Sequence, residues 1–426
     1  MSNQKLETLA IHAGVQRSAD NPSAAVPINR TTAYNFQSTE HAANLFALKE
    51  LGYIYTRIMN PTQDVLEQRM AALEGGAAAL ALASGTSAVF YSIINICTAG
   101  DEIVSSSHLY GGTFTMFNDI LPDYGITVRF VDPLDLDAMK AAINEKTRAV
   151  FIETIGNPAL SVPDFEAIAS LAHDHRLPLI VDATFTTPYL LRTIDHGADI
   201  VVNSLTKWIG GHGTGIGGIV VDAGRFDWTD PKFKTMNEPD NSYHGVRFAH
   251  DLGPLSPIAY ILRMRVVPLR NLGAAISPDN AWIFLQGMET LALRMERHSR
   301  NALRVAQFLQ QHPNVEWVNY PGLSSHETHQ NARRYLTQGY GGMVVFGIKG
   351  GRSAGEKFIN SLELFHHLAN VGDAKSLAIH PASTTHSQMS EEQQRAAGVP
   401  PEMVRLSIGI EHIDDILAEL DRTLKA

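Results

Sequence analysis

The stretch SLTKW at positions 204–208 decides how the rest of this chain is understood. Its lysine, Lys207, follows two hydroxyl residues and precedes a glycine-rich segment at 210–218. An acidic residue, Asp182, closes a short apolar run 25 residues upstream of that lysine. This distance is about one strand, a connection and another strand of an α/β unit. We therefore expect Lys207 and Asp182 to lie at the ends of neighbouring strands.

A lysine, an acid and hydroxyl side chains in this arrangement suit one cofactor, pyridoxal 5'-phosphate (PLP). A lysine amine forms a Schiff base with PLP, a carboxylate pairs with the pyridinium nitrogen, and hydroxyl groups bind the phosphate. We predict these roles for Lys207, for Asp182, and for Ser204 and Thr206. Taken alone, Lys207 would more simply be a solvated surface lysine, so the prediction depends on the combination of residues.

Composition limits the class of protein. The chain has 426 residues, 44% of them hydrophobic and 18% charged, which predicts a globular protein of two or three domains. A net charge of −10 argues against nucleic-acid binding, which needs a basic face. The single cysteine, Cys97, excludes an internal disulfide framework, and no signal peptide or membrane-spanning run is recognisable. We expect a cytoplasmic protein that binds neither membranes nor nucleic acid.

The pattern of elements predicts three regions. Residues 1–62 are interrupted by prolines, contain one predicted helix at 40–51, and predict an extended arm that packs on a second subunit. Residues 63–279 alternate helices with apolar strands, which predicts a mostly parallel sheet with helices on both faces. Within them, segment 223–278 is irregular and predicts an excursion. Residues 280–426 predict a smaller C-terminal α+β domain.

The individual elements expected in the two domains are as follows. Helices are expected at 63–74, 86–98, 136–144, 163–175, 279–311, 354–362 and 414–424. Strands are expected at 77–83, 103–106, 128–131, 149–153, 179–182, 200–203, 219–222, 315–319, 343–348 and 404–408.

Four further positions in the larger domain are candidate cofactor contacts. Gly85 and Thr86 would open a helix whose backbone N–H groups bind an anion, although a plain capped turn fits the same residues. Tyr110, just after a strand, could stack on a flat ring. Asn157 could hydrogen-bond a ring hydroxyl, but Asn-Pro is also a common turn pair. For Tyr110 and Asn157 alone, a structural role is the simpler interpretation.

Two arginines and one tyrosine outside that region are candidates for binding anions or completing a site. Tyr55 and Arg57 lie at the end of the arm, and Arg57 could give bidentate contacts to a phosphate in a partner subunit. Arg405 lies on a predicted strand, and an inward arginine needs an anion. An amino-acid carboxylate or a structural acid would serve.

Two other patterns predict no site. The glycines at 213–218 match the dinucleotide-binding fingerprint in letters, but a strand follows them where the fingerprint needs a helix. We therefore exclude nucleotide binding there. The 18 histidines include no H-E-x-x-H motif, and we predict no metal site.

The run DATFTTPYL at 182–190, with GADIVVNSLTK at 197–207, resembles the signature of the Cys/Met-metabolism PLP-dependent enzymes. The resemblance extends from Glu7 to Gly409 and implies the PLP-dependent transferase fold of type I. Within the family, the chain is most similar to the O-acetylhomoserine sulfhydrylase branch. The segments that carry this closer resemblance are 241–245, 277–281, 372–377, Pro381 and the pair Thr385-His386.

The resemblance implies a role for each candidate residue. Lys207 resembles the Schiff-base lysine and proton shuttle, and Asp182 and Tyr110 resemble the pyridinium partner and the stacking tyrosine. The phosphate ligands matched within one subunit are Gly85, Thr86, Ser204 and Thr206, and those matched from the neighbouring subunit are Tyr55 and Arg57. The residues matched near the ring hydroxyl and the substrate are Asn157, Tyr55, Arg405 and Ser376. Gly112 stands where methionine γ-lyases carry a cysteine.

The implied reaction is γ-replacement. O-acetyl-L-homoserine and sulfide would give L-homocysteine and acetate, and methanethiol in place of sulfide would give methionine. Lys207 would move the protons, and Tyr110 could assist. Cystathionine γ-synthase or methionine γ-lyase activity on the same scaffold is the alternative, and a binding protein without catalysis is a less favoured one. The resemblance also implies a homotetramer of catalytic dimers that share their active sites.

Overall fold

The structure is a computed structural model that describes residues 4–15, 22–384, 387, 390–396 and 398–425. The pair Thr385-His386, which contributed to the resemblance, lies outside these residues. The described residues form two sheets, one of seven strands and one of five, with helices packed on them.

The larger sheet lies in the region where a mostly parallel sheet was expected. Its strands are β1 (Ala78–Leu82), β2 (Glu102–Ser106), β3 (Thr127–Val131), β4 (Thr147–Glu153), β5 (Leu179–Asp182), β6 (Ile200–Ser204) and β7 (Gly218–Asp222). They are ordered β1-β7-β6-β5-β4-β2-β3. All neighbours run parallel except the two pairs made by β7, which is antiparallel to both β1 and β6. The predicted sheet is confirmed.

Both faces of this sheet are buried. On β4, Val150 and Ile152 pack into one core, while Ala149 and Phe151 pack into the other. Strand residues alternate between the two faces, so a strand that is apolar at every position must be covered on both sides. This explains why the strands lack the polar alternation of a half-exposed sheet.

In the described part of the chain, twelve α-helices precede or cover the larger sheet. They are α1 (Leu6–His12), α2 (Thr39–Phe46), α3 (Pro61–Glu74), α4 (Gly85–Ile94), α5 (Gly111–Thr115), α6 (Leu136–Ala142), α7 (Phe165–Asp174), α8 (Thr187–Leu190), α9 (Lys234–Asn237), α10 (Ala259–Met264), α11 (Arg270–Leu272) and α12 (Pro278–Glu289). Segment 223–278, expected to be irregular, contains the short helix α9 and a continuous helical run at 253–272 that includes α10 and α11. Its aromatic residues Trp228, Phe233 and Tyr260 pack into the core beneath β7.

The smaller sheet is mainly antiparallel. Its strands are β8 (Val315–Asn319), β9 (Met343–Ile348), β10 (His366–His367), β11 (Leu377–Ile379) and β12 (Met403–Ser407), in the order β10-β11-β12-β9-β8. Its helices are α13 (Leu291–Gln311), α14 (His329–Tyr335), α15 (Gly351–Asn360), α16 (Glu391–Ala396) and α17 (Ile413–Lys425). The two shortest strands, β10 and β11, were not predicted because runs this short carry no clear period.

One expected helix is in fact two. The helix predicted at 279–311 breaks at Thr290, whose φ of −111° and ψ of 11° lie outside the helical region. Helix α12 belongs with the larger sheet, where the Arg69 guanidinium of α3 donates to the Leu285 carbonyl oxygen. The chain turns at Thr290, and α13 then packs against β8 and β9 of the smaller sheet. The domain boundary at 279 stays a prediction.

The N-terminal arm lies partly on its own chain. The Trp282 indole N–H donates to the Val26 carbonyl oxygen at 3.0 Å, and Asn60 Nδ2 donates to the Asn29 carbonyl oxygen at 2.8 Å. The helix expected at 40–51 ends early, at Phe46, because Leu48 has a left-handed φ of 54°. That a further part of the arm packs on a second subunit stays a prediction.

The buried carboxyl of Glu74 gives the fold a testable pH dependence. Asn203, on the strand that leads to Lys207, donates through Nδ2 to Glu74 Oε1 at 2.9 Å. Desolvation raises the pKa of Glu74 to about 8, so the folded protein keeps a proton that the unfolded chain releases above pH ~4.3. The stability from this group is complete below that ordinary pKa and is lost as the pH rises toward 8.

We expect the free energy of unfolding to decrease less between about pH 5 and about pH 8 in Glu74→Gln than in the unmodified protein. The reason is that the amide accepts the same hydrogen bond from Asn203 but has no proton to release. Denaturant unfolding at several pH values measures this. Glu316→Gln, at an exposed position, should leave the curve unchanged. A curve for Glu74→Gln as steep as that of the unmodified protein would contradict the prediction.

Candidate active site

The candidate residues gather where three parallel strands of the larger sheet end. Glu153 ends β4, Asp182 ends β5 and Ser204 ends β6. Lys207 follows in a single π-helical turn, Leu205–Ile209. The carboxyl edge of an open α/β sheet is the general place for ligands, because loops leave all strands there and backbone groups are free. The strand ends predicted for Asp182 and Lys207 therefore do meet at one edge.

Gly85 and Ser204 form a close-packed cradle at this edge. Helix α4 begins at Gly85, and the Ser84 hydroxyl caps it by accepting from the Ser87 backbone N–H at 3.0 Å. A Cβ atom at Gly85 would lie 2.6 Å from the Ser204 Cβ, so only glycine fits. The first-turn N–H groups of a helix have no internal partner. Together with the Ser204 hydroxyl they suit a phosphate group.

Two other predicted phosphate ligands lie around this cradle. Thr86, the second residue of α4, is exposed. The Thr206 hydroxyl is held by the loop that follows Lys207, since it accepts from the Gly217 N–H at 3.1 Å and lies 3.3 Å from the Gly217 carbonyl oxygen. Thr206 therefore closes that loop, and its hydroxyl is already engaged within the protein.

Asp182 is a desolvated carboxylate without a cation. Its Oδ1 accepts from the Thr184 backbone N–H at 2.9 Å, and no arginine or lysine of the described residues lies within ion-pair distance. Desolvation raises the pKa of Asp182. A desolvated carboxylate is costly unless a positive group pairs with it. A protonated pyridine nitrogen supplies such a group, so Asp182 suits the role predicted for it.

Glu153 lies directly beside Asp182. The two residues are register partners on parallel strands β4 and β5. Desolvation, and then the charge of Asp182, raises the pKa of Glu153 well above its usual range. Two adjacent carboxyls do not both ionise readily, so Glu153 holds the proton and Asp182 carries the charge. Glu153 Oε1 also accepts from the Tyr110 backbone N–H at 2.6 Å, which fixes the start of α5.

The Tyr110 side chain is presented at the mouth of the site. Its ring is 53% exposed, which leaves a face free to stack on a planar ligand. A Cβ atom at Gly112 would lie 2.5 Å from Tyr110 Cε1. The ring can therefore rest over position 112 only because that residue is glycine.

Lys207 has a neutral hydrogen-bond partner and a cationic neighbour. Its Nζ donates to Asn370 Oδ1 at 2.6 Å. Desolvation, and then the positive charge of Arg405, lowers the pKa of Lys207. An amine with a lowered pKa is more often unprotonated near neutral pH and can act as a base or a nucleophile. The turn after β6 thus presents a lysine suited to both predicted functions.

Arg405 is a half-buried arginine whose charge the protein does not neutralise. It lies on β12 of the smaller sheet, and no carboxylate in the described part of the chain lies within ion-pair distance. Desolvation lowers its pKa, and Tyr110 partly offsets this. The two sheets therefore bring Arg405, Tyr110 and Lys207 together. An arginine in this state suits the carboxylate of a small ligand.

Ser376 does not offer its hydroxyl to this site. The residue is fully buried, and its Oγ donates to Glu411 Oε2 at 2.9 Å and accepts from the Gly409 N–H at 2.9 Å. The hydroxyl is therefore engaged within the protein, and the role of Ser376 in binding substrate stays a prediction. Ser376 directly precedes β11, which pairs with β12, the strand that carries Arg405.

The remaining predicted residues have no contact with Lys207 in the described chain. Asn157 is 8% exposed and precedes a cis proline, Pro158. The Arg57 guanidinium lies 5.1 Å from the centre of the Tyr55 ring, and Tyr55 is 40% exposed. Arg57 has no carboxylate partner among the described residues. An exposed arginine on an arm is available to a neighbouring subunit.

Three residues of the site were not predicted. Glu153 was recognised only as the end of a strand, and Thr184 only as part of the family signature. Thr184 links two predicted residues, because its hydroxyl accepts from the Ser204 backbone N–H at 2.8 Å. Asn370 had no signal at all, since it approaches Lys207 from a different sheet.

Comparison with known proteins agrees with this geometry. The family model for Cys/Met metabolism PLP-dependent enzymes matches residues 7–425. The chain belongs to this family. It is 55% identical to O-acetyl-L-homoserine sulfhydrylase of Leptospira meyeri over 99% of this chain and 97% of that protein. It is 51% identical to homocysteine synthase of Schizosaccharomyces pombe over 100% of this chain and 99% of that protein.

A solved structure from Campylobacter jejuni extends the likeness to three dimensions. It is named as an O-acetylhomoserine (thiol)-lyase and contains an N'-pyridoxyl-lysine-5'-monophosphate residue. The TM-score is 0.94 at 42% identity, with 99% of this chain and 100% of that chain covered. The predicted type I fold and the PLP cofactor of this family are confirmed. In the described part of the chain, no helix has the length and apolar character to span a bilayer.

The contact between Lys207 and Asn370 gives a prediction about pH. Asn370→Asp would place a carboxylate beside Nζ and raise the pKa of Lys207. We expect the acidic limb of the pH–rate profile to move to higher pH, because the amine loses its proton later. Asn370→Ser, which keeps a neutral acceptor, is the matched control. An acidic limb that stays in place for Asn370→Asp would show that Asn370 does not act on the lysine.

Proposed function

We propose that this protein catalyses PLP-dependent γ-replacement, in which O-acetyl-L-homoserine and sulfide give L-homocysteine and acetate. The family supplies the cofactor, and the relatives named sulfhydrylase and homocysteine synthase, which match nearly the full chain, support the substrate. The observation that carries the proposal is the position of Arg405 beside Lys207, because it gives an α-amino acid one cation for its carboxylate and one base for its Cα proton.

The proposed roles of the residues follow from their positions. Arg405 binds the substrate carboxylate through paired N–H donors. Asp182 stays charged and holds the proton on the pyridine nitrogen, while the Tyr110 ring lies against the planar system. When bound, PLP withdraws electrons from the amino acid and makes first the Cα proton and then the Cβ proton acidic. Ser204 and the start of α4 hold the phosphate and fix the orientation.

Lys207 is proposed as the group that moves the protons. Its Nζ would remove the proton from Cα and pass it on to the bound cofactor. The amine, free again, would then remove a second proton from Cβ, which allows acetate to leave from Cγ. Sulfide then forms the new C–S bond at Cγ, and the same amine returns protons to Cβ and Cα. Asn370 accepts from Nζ and so keeps the amine directed while it is free. Tyr110, at the mouth of the site, is placed to assist one of these transfers.

Product analysis on the PLP-loaded protein tests the reaction. O-acetylhomoserine is supplied with sulfide in one reaction and with cysteine in another. We expect homocysteine and acetate with sulfide and little cystathionine with cysteine. Cystathionine as the main product would make the protein a cystathionine γ-synthase. Formation of 2-oxobutyrate and ammonia with either thiol would make it a γ-lyase, and methanethiol in a third reaction tests direct formation of methionine.

Lys207→Ala should lower turnover by at least ~10³-fold, because the group that moves the protons is removed. The measurement is homocysteine formation under saturating PLP. Lys140→Ala, at an exposed position on α6, serves as the control and should retain full activity. Substantial turnover by Lys207→Ala would contradict the proposed role of the lysine.

We also propose that the enzyme works in the cytoplasm as a homotetramer built from dimers that share active sites. The free thiol of Cys97 is buried, which suits a reducing compartment. Arg57 and Tyr55 are exposed on the arm, and the side chains of Phe36, Phe114 and Tyr110 are also exposed. A partner subunit that accepts the arm would cover these side chains and receive Arg57 as a phosphate ligand.

Mixing two inactive variants tests the shared site. Lys207→Ala and Arg57→Ala, unfolded and refolded together in equal amounts, should recover about a quarter of the unmodified activity. Half the dimers would then be mixed, and one site in each mixed dimer would be intact. Each variant refolded alone is the control. If both residues act within one chain, the mixture will be no more active than the separate variants.

A further inference from the structure

One face of α13 bonds both to the turn that carries Lys207 and to the residues that follow β12, the strand that carries Arg405. Arg294, His298 and Asn301 are spaced four and three residues apart, so their side chains project from the same side of the helix. All three are buried, with exposed fractions of 4%, 0% and 2%. Each donates hydrogen bonds to backbone carbonyl oxygens of segments that carry a proposed site residue.

Arg294 holds the turn that contains Lys207. Its guanidinium donates to the carbonyl oxygens of Trp208 at 2.5 Å, Ile209 at 3.1 Å and Gly287 at 2.6 Å. Its Nε donates to the Thr290 hydroxyl at 3.2 Å. No carboxylate of the described residues pairs with it, and desolvation lowers its pKa to about 10. The guanidinium stays charged at neutral pH, so its donors strengthen the bonds to these carbonyls.

His298 and Asn301 hold the end of the strand that contains Arg405. His298 Nδ1 lies 2.6 Å from the Ile408 carbonyl oxygen, three residues after Arg405. Desolvation lowers the pKa of His298 to about 4, so the ring is neutral and its single proton must lie on Nδ1 to make this bond. Asn301 Nδ2 donates to the carbonyl oxygens of Gly409 and Glu411, both at 3.0 Å.

We propose that Arg294, His298 and Asn301 are positioning residues that set the separation of Lys207 from Arg405 through the rigid backbone of α13. The proposal rests on the function given above, in which Lys207 acts on Cα and Arg405 binds the carboxylate of the same substrate. Those two groups of an amino acid are one bond apart. A base and an anion-binding arginine that come from different sheets must therefore be held at a fixed separation.

The geometry distinguishes this role from ordinary core packing. Apart from the bond between Arg294 and the Thr290 hydroxyl, the three side chains donate to backbone oxygens, so their bonds fix the path of the main chain. Arg294 bonds only to segments next to the larger sheet, near Lys207, whereas His298 and Asn301 bond only to residues that follow β12, near Arg405. Loss of the Arg294 bonds should therefore disturb the position of Lys207, and loss of the His298 or Asn301 bonds should disturb binding of the substrate carboxylate.

The test uses variants that act at one end each. For the β12 end, His298→Leu removes the donor, and His298→Asn places an amide N–H near the position of Nδ1. For the lysine end, Arg294→Lys keeps the charge but offers fewer directed donors. Arg300→Met, at an exposed position on the same helix, is the control for α13 itself.

Three quantities are measured on each PLP-loaded variant. They are the KM for O-acetylhomoserine, the KM for sulfide, and the pH at which the absorbance of the bound cofactor changes. The melting temperature is followed in parallel. The absorbance titration reports on the lysine without turnover, and perturbation of the cofactor spectrum by O-acetylhomoserine gives its dissociation constant even if no homocysteine forms. A failure of the proposed function is thus separable from a failure of this inference.

We expect His298→Leu to raise the KM and the dissociation constant for O-acetylhomoserine by roughly tenfold. The sulfide KM and the cofactor titration should stay unchanged, and His298→Asn should restore most of the lost affinity. Arg294→Lys should shift the cofactor titration and lower kcat, with little change in the affinity for O-acetylhomoserine. Arg300→Met should match the unmodified protein in all three quantities.

Two results would overturn the proposal. In the first, His298→Leu and Arg294→Lys change all three quantities in parallel with the melting temperature, which is the behaviour of general destabilisation. In the second, both variants fold and match the unmodified protein. If His298→Leu fails to fold, Asn301→Ala replaces it as the variant of the β12 end. The proposal then requires Asn301→Ala to weaken binding of O-acetylhomoserine without shifting the cofactor titration, and Arg294→Lys to shift the titration without weakening that binding.

Discussion

The active site depends on charged groups that the protein desolvates without neutralising. Asp182 at the end of β5 has no cation among the described residues, and Arg405 on β12 has no anion. Either group would be costly if it stayed unpaired. A cofactor with a protonated ring nitrogen and a substrate with a carboxylate resolve both costs at once. Binding of the cofactor and the substrate therefore neutralises the charges of Asp182 and Arg405. This explains how the folded chain can hold two desolvated charged residues that have no partner of their own.

The scaffold fixes these groups through backbone contacts. Ser204 can approach the start of α4 only because position 85 is glycine. Tyr110 is held by the carboxyl of Glu153, whose pKa is raised by desolvation and then by its neighbour Asp182. The turn that carries Lys207 is held on one side by the Thr206 loop and on the other by Arg294. The side chains proposed to move protons are thus placed on segments whose main chain has little freedom, which is what a reaction at defined atoms requires.

Much of the fold could be predicted because the relevant signals are local. Apolar runs at the right spacing indicated the parallel strands, and the residues around Lys207 and Asp182 indicated the cofactor. The break at Thr290 was missed because both halves of the expected helix have helical periodicity, and only their different neighbours separate them. Asn370 was missed because its contact with Lys207 spans 163 residues. The bond between the Ser376 hydroxyl and Glu411 could not be predicted, because it joins residues 35 positions apart.

The attachment of α13 to both sheets also limits how the molecule can move. The break at Thr290 is where a hinge would be expected, yet Arg294, within the first turn after it, bonds to Trp208 and Gly287 of the larger part. Four residues further on, His298 bonds to Ile408 of the smaller part. A rigid-body rotation of one sheet against the other would have to break buried, partly charged hydrogen bonds. The two sheets are therefore expected to move together as one rigid body. Surface segments such as the exposed Tyr110 turn and the N-terminal arm must then admit the substrate and exclude water.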